Sequence, residues 1–189
     1  NEMKDIGTYT STATSGLDNP WDFVDNPNDD AGMEDIWNSN GMDNDGYPFM
    51  DWRGYPSSTA PAAGDGSEGD PYQIATLDEL FWITQNSGSW DKHFIQMADI
   101  DASATSFWDN SAGFLPIGCE PPYFSGSYNG NGCSIDHLCI NRPDLNNYAG
   151  LFGIISTGAG VQNLILNELD ITGNNDVGGL AGKNNGSVT

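Results

Sequence analysis

The chain has 189 residues and a formal net charge of −22, because 27 Asp and Glu residues face only five Lys and Arg residues. A field of that sign repels nucleic acids and anionic membranes, and no apolar run approaches the ~20 residues that cross a bilayer. We therefore expect neither nucleic-acid binding nor membrane insertion. Twenty-four glycines suit short strands joined by turns, while six Trp, seven Tyr and eight Phe indicate a folded core rather than disorder.

Residues 1–55 are an aromatic, acidic and turn-rich segment. Short runs such as Trp21-Asp22-Phe23, Ile36-Trp37-Asn38 and 47–52 alternate aromatic with polar positions and are bounded by Asp, Asn, Pro and Gly. That pattern is typical of short strands between turns. It predicts a small aromatic β-rich subdomain that closes the end of something larger.

Acidic turns in this segment are a candidate calcium site. Asp25, Asp29 and Asp30 lie in one turn, and Asp43 and Asp45 lie in another. Calcium takes 6–8 oxygen ligands, which such turns supply, but the full 12-residue loop with its closing Glu is missing. Asp and Asn also form ordinary turns. Both interpretations stay open, and no other cofactor is expected.

Residues 56–70 predict a linker, since they are rich in Pro, Gly, Ser and Ala and have no apolar period. The pattern changes over residues 71–189, where short apolar runs alternate with turns. Near the start of that region Thr76 and Glu79 have the spacing of a capping box, ahead of several apolar positions. They predict a helix over about 77–86.

The last third of the chain repeats one apolar pattern. Ile135-x-x-Leu138-x-Ile140 recurs as Val161-x-x-Leu164-x-Leu166, and Val188 opens a third copy, at offsets of 26 and 27 residues. Two Gly-Leu-x-Gly units, 150–153 and 179–182, lie between the copies. A period in the 20s with glycine corners is typical of a solenoid. We therefore predict a mainly β solenoid over 71–189, with the helix as its N-terminal cap and the third copy left open.

Residues 64–189 resemble bacterial surface proteins with GLUG-motif repeats. The resemblance rests on the Gly-Leu-x-Gly units together with GDGSEGDPYQIATLDELFWI, ADIDAS, PIG, FSGSYNGNGCSIDHLCINRP and NYAGLFG. It implies a right-handed parallel β-helix within a large secreted or cell-surface protein that is often adhesin-like. Residues 1–55 resemble the segment that follows the last repeat in such proteins, so the family's tail stands first in this chain.

Three other groups of residues are weaker candidates. Asp99, Asp101, Asp136 and His137 could serve a polysaccharide-active enzyme, but solvated aspartates are the commoner reason for such a pattern and basic residues are scarce, so we expect no enzyme. Trp90, Trp108, Tyr123 and Phe124 could stack on sugars, with core packing as the alternative. Cys119 and Cys133 could form a bridge, with buried thiols as the alternative.

These observations favour a structural, self-associating module of an extracellular bacterial fibre or giant surface adhesin. Val177, Leu180 and Val188 at the open third copy would dock on Trp21, Phe23, Trp37 and Trp52 of the next copy, so the expected partner is another copy or a neighbouring module. A carbohydrate- or host-binding adhesin domain is the alternative, with glycans as its partners. A polysaccharide-active enzyme is the third hypothesis.

Overall fold

The computed structural model describes residues 37–38, 49–50, 58–143 and 148–189. The chain divides into two compact units, residues 1–55 and 56–189. In the first unit the short strands β1 (Trp37–Asn38) and β2 (Phe49–Met50) pair antiparallel. The rest of the predicted aromatic subdomain at 1–55 lies outside the described residues, and the linker at 56–70 stays a prediction.

The second unit opens with β3 (Tyr72–Ile74) and α1 (Leu77–Gln85). The predicted helix is confirmed, and so is the capping box that starts it. Thr76 Oγ1 accepts a hydrogen bond from Glu79 N at 3.2 Å, and Glu79 Oε2 accepts one from Thr76 N at 3.1 Å. These bonds satisfy backbone donors that have no partner within the helix. Leu80 and Ile83 on its apolar face are fully buried.

Short strands follow α1, and helical segments interrupt them. Between β5 and β6 lie a 3₁₀ turn (Ser103–Phe107) and a single helical turn, α2 (Trp108–Ser111). The strands in chain order are β4 (His93–Gln96), β5 (Ile100–Asp101), β6 (Ser127–Asn129), β7 (Ser134–Asp136), β8 (Cys139–Arg142), β9 (Phe152–Ile155), β10 (Gly160–Gln162), β11 (Ile165–Asn167), β12 (Asp170–Gly173), β13 (Ala181–Asn184) and β14 (Ser187–Val188).

The strands of the second unit form four small parallel sheets. Their orders are β14-β10-β6-β4-β3, β11-β7-β5, β12-β8 and β13-β9. In the largest sheet Val161 lies opposite Tyr128 on one side and Val188 on the other. Because side chains alternate across a strand, residues that are paired in register share one face of the sheet.

The predicted right-handed parallel β-helix is wrong for the described residues. The parallel sheets have five, three, two and two strands, and helical turns interrupt the series, so the unit is a mixed α/β arrangement of small sheets. The steps between paired residues show the reason. Tyr72 pairs with Phe94, Phe94 with Tyr128, Tyr128 with Val161, and Val161 with Val188, in steps of 22, 34, 33 and 27 residues. A regular solenoid requires a nearly constant step.

The predicted alignment of the apolar repeat is right in one step and wrong in the other. Val161 pairs with Val188 as the sequence indicates. Ile135, however, lies opposite Leu166 rather than Val161. The error follows from assuming a constant step, since Ile135 and Leu166 are 31 residues apart.

The two Gly-Leu-x-Gly units lie side by side, with Phe152 opposite Ala181. Close backbone approach explains the last glycine of each unit. A Cβ on Gly153 would lie 2.4 Å from Cys119 Cα, and a Cβ on Gly182 would lie 2.4 Å from Tyr148 Cα. Real Cβ atoms do not come that close to backbone, so any larger residue would displace the neighbouring segment.

The core of this unit is aromatic and contains one buried polar group of note. Phe124 and Phe152 meet with ring centroids 4.7 Å apart. Gln96 is fully buried, and its Nε2 donates to Ala98 O at 2.8 Å and to Ser134 O at 2.7 Å. Its Oε1 accepts from the buried Tyr128 hydroxyl at 3.0 Å. Burial raises the pKa of Tyr128 well above its usual range, so the hydroxyl stays protonated and remains a donor.

Replacement of Tyr128 by Phe tests this buried network. The variant leaves Gln96 Oε1 without its donor in the core, and we expect the free energy of unfolding to fall by about 1–3 kcal/mol. Tyr123→Phe is the matched control, because Tyr123 is 37% exposed. Urea denaturation of the full chain measures both variants. Equal stability of Tyr128→Phe and the wild type would show that this hydrogen bond contributes nothing.

Candidate functional site

Four edge strands define the candidate site. Across residues 58–143 and 148–189, the sheets place β11, β12, β13 and β14 outermost and pair each of them only with its inner neighbour. We call the outward side of these strands and the turns that join them the end face. In β14, Ser187 N and Thr189 N donate to the carbonyls of β10. Because backbone groups alternate along a strand, the N–H and C=O of Val188 point away from β10, towards the end face.

The opposite edges of the sheets are covered by other backbone. Gln73 N in β3 donates to Ala63 O at 3.0 Å. Asn141 N in β8 donates to Ala112 O at 2.8 Å, and β9 is bridged by Ile117 and Phe124. Covered edges cannot accept a further strand. The two ends of the sheets therefore differ, and the end face is the one with free strand edges in the described part of the chain.

The end face is also apolar. A hollow of about 160 Å³ opens there, and Leu166, Leu180 and Val188 line it together with their inner neighbours Val161 and Leu164. Val161 is 2% exposed because strands flank it on both sides, whereas Val188 is 46% exposed. The same step separates Ile135, which is fully buried, from the half-buried Leu166. A further strand layer would bury these side chains as Val188 and Leu166 bury their neighbours.

The structure brings two of the three predicted interface residues on this side together. Leu180 and Val188 line the same hollow. Val177 is 46% exposed, but it bridges Ala149 and does not line the hollow. Sequence analysis missed the contribution of Leu164 and Leu166 to this surface. Their place in the apolar repeat was visible, but the wrong register assigned them to a buried position.

The remaining predicted site residues fall outside what the structure describes. This applies to the interface residues Trp21, Phe23 and Trp52 and to the calcium candidates Asp25, Asp29, Asp30, Asp43 and Asp45. The backbone of Trp37 lies in β1. The calcium site stays a prediction. Within the described residues, no group of three or more His, Cys, Asp and Glu side chains could hold a metal ion.

The carboxylates considered for catalysis form an exposed network along β5, β7 and β11. Asp136 lies opposite Asp101 on one side and Asn167 on the other. Its carboxylate accepts from Ser134 Oγ at 2.6 Å and from Asn167 Nδ2 at 2.7 Å. These two bonds, the Ser134 hydroxyl first, hold the pKa of Asp136 below its usual value.

His137 joins this network from the turn after β7. Its Nε2 lies 2.9 Å from Glu168 Oε2, and its Nδ1 lies 3.6 Å from Asp101 Oδ1. All three side chains are more than half exposed. A hydrogen-bond network of this kind links successive strands at the surface, and the prediction that the chain is not an enzyme stays a prediction.

The candidate sugar-binding aromatics are mostly core residues. Trp90 is buried and its Nε1 donates to Ile83 O at 2.6 Å, while the buried Trp108 packs edge-on against Phe81 at 5.0 Å. Phe124 is fully buried, which leaves Tyr123 as the exposed member of the set. Packing therefore explains three of the four aromatics. The three cysteines, Cys119, Cys133 and Cys139, all lie in the described residues and form no disulfide.

Comparisons with known proteins give two similar sequences. The chain is 40% identical over 138 residues to halomucin of Haloquadratum walsbyi, a match that covers 69% of this chain and 2% of that protein. It is 37% identical over 139 residues to a putative Gly-rich membrane protein of Evansella cellulosilytica, covering 71% of this chain and 16% of that protein. No protein-family model matches the chain, and no solved structure shows significant similarity.

The chain thus corresponds to a small part of much longer proteins. Their names associate this stretch with surface- or membrane-associated proteins, and the predicted surface location is confirmed at that coarse level. Among the described residues, no helix has the length and apolar character needed to cross a membrane.

A serine substitution tests the surface network through its pH dependence. Asp136 has a depressed pKa in the folded state, so its stabilising contribution is present above the unfolded pKa of about 3.9 and is lost as the pH falls through the folded value. Ser134→Ala removes the first donor. We expect its urea midpoint to lie below that of the wild type at pH 6 and the difference to narrow towards pH 2.5.

Ser106→Ala serves as the control for this titration, since Ser106 Oγ donates to the Ser103 carbonyl and not to a carboxylate. The midpoint difference for that variant should not change with pH. A Ser134→Ala difference that is equally independent of pH would contradict the assignment.

Proposed function

We propose that this chain is a structural, self-associating module of an extracellular fibre or giant surface protein of the GLUG-repeat type, and that it stacks end to end through its end face. The observation that carries the proposal is the coincidence of four free strand edges with an apolar hollow on one side of the sheets. The pairing of the two Gly-Leu-x-Gly units in register supports a repeat protein. Similarity to small parts of much longer proteins supports a module of a larger assembly.

Residues 1–55 of a neighbouring copy are the proposed occupant of the end face. That unit is separately compact and rich in aromatic residues, and Trp21, Phe23, Trp37 and Trp52 provide its large apolar side chains. Aromatic side chains bury 150–250 Å² each and dominate the energetics of many protein interfaces. They suit a hollow lined by Leu and Val, and strand edges add backbone hydrogen bonds to such a contact.

The proposed contact joins two different surfaces and is therefore heterologous. A heterologous contact that does not close on itself generates open filaments, whereas a contact between two identical surfaces stops at a dimer. The covered edges at β3, β8 and β9 support this polarity, since they leave strand pairing to the other end of the sheets. Stacking in one direction is what a fibre requires.

Val188→Asp in the full chain tests the end face directly. A carboxylate at the centre of an apolar contact would be desolvated without a partner, so we expect association to weaken by at least roughly tenfold in concentration. Sedimentation velocity over a concentration series measures it. Met97→Asp is the matched control, because Met97 is 48% exposed and lies outside the end face. Equal weakening by the two variants would contradict the assignment.

A mixing experiment tests the polarity of the contact. Val188→Asp disables the end face, and the double variant Trp37→Ala with Trp52→Ala disables the proposed docking unit. Each variant alone should remain monomeric. Their mixture should form pairs and nothing longer, because one intact surface remains on each partner. A contact between two end faces would instead let the tryptophan variant associate alone and leave the Val188→Asp variant monomeric in every mixture.

A further inference from the structure

The two surfaces that meet in the proposed stack carry charge of the same sign. Residues 1–55 contain twelve acidic and two basic residues, which gives a formal charge of −10. Residues 160–189, which supply the end face, contain Glu168, Asp170 and Asp176 against Lys183, which gives −2. The apolar hollow therefore attracts a partner that the surrounding carboxylates repel.

These carboxylates are placed where a docked partner would come close to them. Asp170 begins the edge strand β12, and Glu168 lies in the turn between β11 and β12. Asp176 lies before β13, and its carbonyl accepts from Ala149 N at 3.0 Å. All three side chains are exposed. His137 approaches Glu168 at 2.9 Å, and the exposed Lys183 lies in β13, so one lysine and one histidine face three carboxylates.

We propose that cations are part of the contact and that docking is coupled to their uptake between the two acidic surfaces. The inference deepens the proposed stacking and depends on it. Counterions gather where two surfaces of like charge approach, because the local potential becomes more negative than on either surface alone. Screening shortens the reach of that repulsion from about 10 Å at 0.1 M ionic strength to about 3 Å at 1 M. The apolar contact then determines the outcome.

The first test measures association of the full chain as a function of NaCl concentration. We expect the protein concentration at half-association to fall by roughly tenfold or more between 0.05 M and 1 M NaCl. Sedimentation velocity at several protein concentrations provides the measurement. Association that is independent of NaCl would overturn this inference and leave the stacking intact. Absence of association at every NaCl concentration, with the chain folded, would overturn both.

The second test separates local from global charge. The triple variant Glu168→Gln, Asp170→Asn, Asp176→Asn neutralises the end face, and Glu68→Gln, Asp70→Asn, Asp91→Asn changes the net charge equally at a distance from it. The first variant should associate at 0.05 M NaCl and depend less on added salt, while the second should follow the wild type. Salt also strengthens apolar contacts, and that effect would persist in the first variant. Equal behaviour of the two triple variants would overturn the inference.

The third test separates diffuse cations from a bound ion. NaCl, MgCl₂ and CaCl₂ are compared at equal ionic strength, and the proposal predicts association with all three, stronger with the divalent salts. A requirement for CaCl₂ alone would overturn diffuse uptake. It would point instead to a specific calcium site, such as the one predicted in the acidic turns of residues 1–55.

Discussion

The dependence of every strand on its neighbour is the constraint from which the rest of this structure follows. Strands of two to four residues cannot be stable alone, because each carries backbone groups that need partners and too few side chains to bury. Inner strands such as β7 and β10 have partners on both sides, and their side chains Ile135 and Val161 are almost fully buried. Strands β11 to β14 have the same construction with one side supplied. A partner for that side is therefore a structural requirement of the same kind as those already met inside the unit.

Packing and charge have separate roles in this account. Aromatic rings and the Gln96–Tyr128 hydrogen bond hold the interior, and Arg142 attaches the helical insertion by donating to Gly113 O at 2.6 Å and Phe114 O at 3.1 Å. The surplus of acidic residues lies on the surface, where it contributes solubility and repulsion rather than fold. Apolar strand edges normally risk uncontrolled aggregation. A surrounding field of like charge would make their association conditional, so one surface could serve both solubility and assembly.

Local signals in the sequence predicted local structure well. The Thr76 and Glu79 spacing identified α1, because a capping box is set by residues within one turn. The Val161–Val188 pairing was also predictable, since no helical segment lies between those residues. The parallel β-helix was wrong because a period was extrapolated across residues 103–126, where a 3₁₀ turn and α2 change the spacing. Burial of Trp90 and Trp108 was equally out of reach, because it depends on long-range packing that turn-rich sequence does not reveal. Of the candidate site, sequence located Leu180 and Val188, while Leu166 required the true register.

Amide hydrogen exchange at increasing protein concentration tests the central claim most directly, because it observes the strand edges themselves. The account predicts that the amides of Leu166 and Val188, whose N–H groups point away from the inner strands, gain protection as the concentration rises. Amides on inner strands, such as that of Ile135, should exchange at the same rate throughout. Uniform exchange at the edge strands across a concentration range in which the protein associates would place the contact elsewhere and contradict the account.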